Sequence, residues 1–164
     1  MLKNLRRGVL TALAVCLVAV TLSPVAHAAK APKPNLVWYL SSPDRSVVDL
    51  PPTGPSIGDI TVSNGDVNET PGKDPIGFYS TNQTTVRVNI PGGREIRSVS
   101  LAISVPGGVI YATALIRANS GTPPTKAQNF AIVGGTGKYA SVSGELVNSG
   151  FNASGSTVEF FFSN

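Results

Sequence analysis

Apolar and polar positions alternate strictly between Ser98 and Val105. Val99, Leu101, Ile103 and Val105 fall on one parity, and Ser98, Ser100, Ala102 and Ser104 on the other. A period of two places these sets on opposite faces of an extended strand. Pro106-Gly107-Gly108 follows as a turn. Val109–Arg117 (VIYATALIR) then returns with Ile110, Ala112, Ala114 and Ile116 on one side. The pattern predicts a β-hairpin. Similar signals recur along the chain. Leu36–Leu40 (LVWYL), Ile57–Ser63 (IGDITVS), Ile76–Ser80, Thr84–Ile90 and Thr157–Phe162 read as strands, with a break near Asn82. Ser42-Pro43-Asp44, Pro51–Pro55, Asn64-Gly65-Asp66, Pro71-Gly72-Lys73, Pro91-Gly92-Gly93 and Gly121–Pro124 read as turns and loops. Phe130–Val147 (FAIVGGTGKYASVSGELV) reads as a second hairpin, with GGTGK as its turn and YASVSGELV as the returning strand.

After residue 28, no window of 11 or more residues has a helical period. About eight or nine short strands at regular spacing make an all-β domain, either a sandwich or a barrel. The strands have a small side of Ala, Ser, Thr and Gly and a larger aliphatic side. A closed antiparallel barrel suits this, because tapering interiors use small residues and closure removes exposed sheet edges.

The first 28 residues read as a secretory signal. Lys3, Arg6 and Arg7 form a positive start, GVLTALAVCLVAVTL an apolar run, and Ala26-His27-Ala28 a cleavage site. Residues 29–34 (AKAPKP) read as a flexible, proline-punctuated leader, and 35–164 as the barrel domain. The expected location is extracellular or periplasmic, with no membrane attachment after cleavage. Cleavage would leave 136 of the 164 residues and remove Cys16, His27 and Met1, the only Cys, His and Met. A chain without thiol or imidazole cannot use disulfides, cysteine nucleophiles, Ser-His-Asp triads or Cys/His zinc sites. It would carry ten basic and nine acidic residues, so the apparent basicity belongs largely to the signal. No basic stripe points to nucleic acid. No acidic cluster points to calcium, and no metal site or cofactor is indicated.

GGTGK itself suggests a phosphate cradle, but the spacing excludes one. A P-loop requires a glycine five residues before the Gly-Lys pair and Ser or Thr after it. Ile132 and Tyr139 hold those places. The chemistry left to the chain lies in carboxylates, tyrosines and arginines. Asp59 is a candidate general acid if its pKa is raised by burial; the commoner role of an Asp at a strand end is to bond nearby backbone. Trp38 and Tyr39 alternate across the first strand, so one of them faces inward. Tyr39 could orient a ligand or donate to an oxyanion. Tyr111 and Arg117 share one side of a strand, where they could hold a carboxylate or phenol, or lie on the outer surface with Glu145 across from Arg117.

Ile57-Gly58-Asp59-Ile60, Gly77-Phe78-Tyr79 and FAIVGGTGKYASVSGEL, in that order, resemble the allene oxide cyclase barrel superfamily, which includes plant dirigent proteins. Val37–Arg45 (VWYLSSPDR) also resembles the first cyclase strand, which ends in Asp-Arg. The resemblance spans Leu36 to Phe162 and is most specific over Val133–Gly144. It implies an antiparallel eight-stranded barrel around an apolar cavity, often assembled as a homotrimer; a homodimer is the alternative assembly expected. It also adds Ser41 and Tyr79 to the ligand-binding candidates Trp38, Tyr111 and Arg117. The superfamily's ionisable positions fall on neutral residues here. The cyclase Glu and Asn align with Tyr39 and Ser41, the dirigent His-Asp pair with Ser41-Ser42, and the dirigent Arg with Ser143. The expectation is a barrel that binds a small apolar molecule and guides its cyclisation or coupling without a cofactor, as an isomerase, cyclase or coupling guide. The alternatives are a non-catalytic carrier and a structural barrel with a filled interior.

Overall fold

The computed structural model describes residues 32–163. The signal segment therefore lies outside the described residues. Nine strands run in chain order: β1 (Leu36–Leu40), β2 (Asp44–Val48), β3 (Ile60–Asn68), β4 (Gly77–Ile90), β5 (Arg94–Val105), β6 (Gly108–Asn119), β7 (Gln128–Gly135), β8 (Gly144–Asn148) and β9 (Ser156–Phe162). All pairings are antiparallel, and from β2 through β9 to β1 each strand is bonded to the next in the ring. Tyr39↔Asn68 and Leu40↔Val67 pair β1 with β3 and close the sheet. β1 and β2 form two halves of one stave, bent at Ser41–Pro43, so the molecule is a closed eight-stranded barrel.

The alternation of β5 fills its interior. Glu95, Arg97, Val99, Leu101, Ile103 and Val105 are all buried, and the intervening positions are less so. β6 answers in register with Ile110, Ala112 and Ile116 across a two-residue turn at Pro106-Gly107. Trp38, Leu40, Val67, Phe130, Leu146 and Phe160 are among the residues that join them in the apolar core. The Trp38 ring meets Phe160 edge-on, with centroids 5.0 Å apart. Interior polarity is unevenly distributed along the staves. Thr61, Ser63, Gln83, Thr85, Glu95 and Arg97 are buried polar residues on β3, β4 and β5, all toward the β5 N-terminal end.

Four features differ from the sequence expectation. The loop expected at Ser42–Asp44 is followed at once by β2, whose only partly buried side chain is Arg45. With four of its five residues exposed, β2 lacks the apolar alternation by which a strand is recognised. Asn64-Gly65-Asp66 is not a turn but the middle of β3, with Gly65 paired to Tyr79. A Cβ on Gly65 would lie 2.6 Å from Ser41 Oγ and 2.7 Å from Tyr79 Cε1, so glycine is there to admit the Tyr79 ring. β4 runs unbroken through Asn82, whose side chain faces outward, and its irregularities lie further on, between Thr85 and Ile90.

The fourth difference is at GGTGK. The returning strand begins only at Gly144, and Gly137–Tyr139 form one turn of 3₁₀ helix. That turn packs on the β5–β6 hairpin. Lys138 N–H donates to the Gly107 carbonyl at 2.8 Å, and Val109 N–H donates to Thr136 Oγ1 at 3.0 Å. Gly137 has φ +58°, and a Cβ there would collide with the Gly107 carbonyl. Gly135 and Gly137 serve close backbone approach, Gly134 a positive φ of 140°, and Lys138 lies over the Tyr139 ring at 5.0 Å.

Candidate functional site

The polar end of the interior is organised around Arg97, which is 1% exposed. Its Nε donates to Glu95 Oε1 at 2.6 Å, and its Nη2 completes the ion pair with the same carboxylate. Nη1 donates to Gln83 Oε1 (3.1 Å) and to the Thr122 carbonyl (3.2 Å), while Nη2 reaches the Asn119 carbonyl (3.2 Å). Glu95 Oε2 accepts from Ser120 Oγ at 3.0 Å, and Gln83 Nε2 donates to Thr81 Oγ1 at 3.0 Å. A buried charge is tolerated only when paired and hydrogen-bonded, and this one is. The network anchors the β6–β7 loop over the barrel mouth.

Arg45 lies beside this network. It is paired in register with Ser63, so the two side chains share the interior face of neighbouring strands. Arg45 Nη1 donates to the Gly121 carbonyl at 2.7 Å. Its Nε and Nη2, together with Ser63 Oγ, are buried without a partner among the described residues. Burial and the neighbouring Arg97 lower the Arg45 pKa, and Glu95 opposes them.

Two small cavities occupy the interior here. One, of about 30 Å³, is lined by Leu40, Val99, Leu101, Ile116 and Phe130 among others. The other, of about 20 Å³, is lined by Arg45, Ser63 and Pro123 among others. Tyr79, Thr81, Gln83, Pro124 and Phe151 line both. The roof comes from two loops tied together, since Phe151 N–H donates to the Pro124 carbonyl at 2.8 Å. The Phe151 ring stacks on Tyr79, with centroids 6.3 Å apart. Tyr79 is 1% exposed and donates its hydroxyl to the Ser41 carbonyl at 2.9 Å. Burial, followed by the negative charges of Asp44 and Asp66, pushes its pKa well above the usual tyrosine range.

Of the residues singled out from sequence, Tyr79 alone lines these cavities. Trp38 faces inward, but within the apolar core beside Tyr139 and Phe160. Tyr39 has the opposite parity and borders an outer groove with Ser41, Asn68 and Lys73. Ser41 acts through its backbone toward Tyr79, while its hydroxyl accepts from Asp66 N–H at 2.8 Å. Tyr111 and Arg117 are exposed on the outer face of β6, and Glu145 accepts from the Asn129 amide (2.6 Å).

Asp59 is buried, but as an anchor for the loop before β3. It accepts from Ser56 N–H (2.7 Å), Ser56 Oγ (2.8 Å) and Leu50 N–H (3.0 Å). The Ser56 backbone and hydroxyl bonds, then that from Leu50, hold its pKa below the usual carboxylate value, the reverse of what a general acid needs. It borders an open groove of about 210 Å³ at the polar end of the barrel with Thr61, Thr85, Glu95 and Arg97. Arg45, Ser63, Gln83, Glu95, Arg97 and Phe151 were missed from sequence. For Glu95 and Arg97 the signal was present, because they share the parity of Val99 through Val105.

No protein-family model matches the chain, and no curated protein is similar to it in sequence. Solved structures are similar in fold. A pyocyanin demethylase superposes with a TM-score of 0.65 at 22% identity, covering 78% of this chain and 98% of its own. The Diels–Alderase AbmU from Streptomyces koyangensis gives 0.55 at 14% identity, covering 79% and 67%. A pterocarpan synthase dirigent protein gives 0.50 at 17% identity, covering 79% and 84%. The chain therefore shares its closed antiparallel barrel fold with the Diels–Alderase and the dirigent protein.

Proposed function

We propose that the chain is an exported barrel that admits a small, largely apolar molecule at its polar end and guides its cyclisation or coupling. The observation that carries this reading is the divided chamber. Leu40, Val99, Leu101, Ile116 and Phe130 give one cavity an apolar wall, and Arg45, Ser63, Thr81 and Gln83 give the other convergent polar groups, the combination expected of a small-molecule site. The similar barrels named for demethylase, Diels–Alderase and pterocarpan synthase chemistry support it. Without histidine or cysteine in the barrel, control would come from shape and orientation, which lower barriers by holding reacting atoms together.

The two cavities, at about 30 and 20 Å³, are far smaller than the roughly 300–1,000 Å³ of ordinary ligand pockets. Binding on this reading requires Phe151 and the Pro123-Pro124 loop to move aside, joining the two spaces. The same volumes favour a second reading, a filled barrel that works through its outer surface. Calorimetric titration with a neutral aromatic, methyl 1-naphthoate, separates the two. Saturable binding at one site per chain, lost in Thr81→Phe where the cavities meet, is expected. Absent binding, or binding indifferent to Thr81→Phe, would favour the filled barrel.

Export rests on the three-part signal pattern of residues 1–28. Self-association into a dimer or trimer is supported by Tyr111, Leu115 and Val133, which are 43%, 72% and 63% exposed on the neighbouring strands β6 and β7. Sedimentation equilibrium tests it, and a monomer at micromolar concentration would end it.

A further inference from the structure

The chamber holds more positive charge than its own residues neutralise. Arg97 and Arg45 contribute two guanidinium groups, and Glu95 is the one carboxylate paired with either among the described residues. Arg97 is fully occupied by Glu95, Gln83 and two backbone carbonyls. Arg45 is fixed through Nη1 alone, by the Gly121 carbonyl. The atoms left over are Nε and Nη2, which form one complete edge of the guanidinium. That edge presents two parallel N–H groups, the fork that grips a carboxylate with two bonds. Ser63, 3% exposed and in register with Arg45, adds an unpartnered hydroxyl on the same wall. The space against them is roofed by Pro123, Pro124 and Phe151, which contribute rings rather than donors. A buried guanidinium edge without an acceptor is costly, and a carboxylate satisfies it more strongly than a neutral acceptor does, so the site suits an anion.

We propose that Arg45 and Ser63 form a subsite for a carboxylate on the ligand, whose aromatic or aliphatic body extends past Tyr79 and Phe151 toward Leu101 and Phe130. This rests on the reading that the barrel admits a ligand. It adds that the ligand is an apolar monocarboxylate, held by its charged end near the mouth and enclosed at its apolar end.

The test compares 1-naphthoate with methyl 1-naphthoate, which share the ring but not the charge, by calorimetry on wild type, Arg45→Met and Ser63→Ala. A charge-assisted pair of bonds is expected to make naphthoate bind on the order of 10- to 100-fold more tightly than its ester. Arg45→Met should abolish the preference for naphthoate over its ester, with the larger loss falling on naphthoate. Ser63→Ala, a smaller change that keeps the fold if Arg45→Met does not, should weaken naphthoate by a few-fold and its ester by less. Equal binding of acid and ester, insensitive to both substitutions, would overturn the subsite and leave the chamber standing. Binding of neither probe would overturn the chamber and the subsite with it.

Discussion

Replacing Arg97 by Met tests whether the polar end is held by a buried ion pair. The substitution keeps a long side chain but leaves Glu95, itself 5% exposed, with Ser120 Oγ as its remaining partner. It also removes donors from Gln83 and from the Asn119 and Thr122 carbonyls. Breaking one side of a buried pair costs about 3–5 kcal/mol, chiefly because the survivor stays charged and unpaired. The two carbonyls belong to exposed residues, the last of β6 and one in the loop after it, so they add little. For a domain of this size the loss corresponds to a fall in Tm of roughly 10–20 °C. Glu95→Leu combined with Arg97→Met removes the stranded charge as well and should recover about 1–2 kcal/mol relative to the single variant. Urea unfolding with linear extrapolation measures all three proteins. A cost below about 1 kcal/mol for Arg97→Met, or a double variant no more stable than the single, would refute the reasoning.

Three further substitutions bear on separate parts of the structure. Gly65→Ala inserts a methyl group against Ser41 and Tyr79 and should cost about 1–3 kcal/mol by overpacking, read as a shift in the urea midpoint at unchanged slope. Gly137→Ala places a Cβ against the Gly107 carbonyl at positive φ and should destabilise by about 1–3 kcal/mol, with no nucleotide binding by calorimetry in either form. Asp59 has a lowered folded pKa, so its contribution is present above the unfolded carboxylate pKa of about 4 and is lost as pH falls through the folded value. Wild type should therefore lose Tm on acidification below about pH 4 more steeply than Asp59→Asn, and parallel acid limbs would count against the anchoring role.

The fold was legible where tertiary structure followed local pattern. The β5–β6 hairpin appears as the alternation of Ser98–Val105 and the Pro106-Gly107 turn require. It was illegible where a distant contact overrode a local signal. Asn64-Gly65 reads as a turn, yet Gly65 is in β3 because the Tyr79 ring needs the space of a missing Cβ. The site was harder to read for a similar reason. Asp59 and Tyr39 stood out as chemically able residues, but β1 parity turns Tyr39 outward and three hydrogen bonds commit Asp59 to its loop. Glu95 and Arg97 could have been placed inside by carrying the β5 parity of Val99 four residues further back. Only the expectation that charges lie outside stood against it. Arg45 and Phe151 carried no such signal, because β2 is mostly exposed and Phe151 belongs to an irregular segment.

Whether the barrel encloses a molecule is most directly measured by native mass spectrometry of the protein purified from the culture medium of its own source. The account predicts recovery from the medium and one small organic acid bound per chain, released on denaturation. Chains that carry no bound molecule, and stay unoccupied on incubation with 1-naphthoate, would contradict it and identify the interior as a filled core.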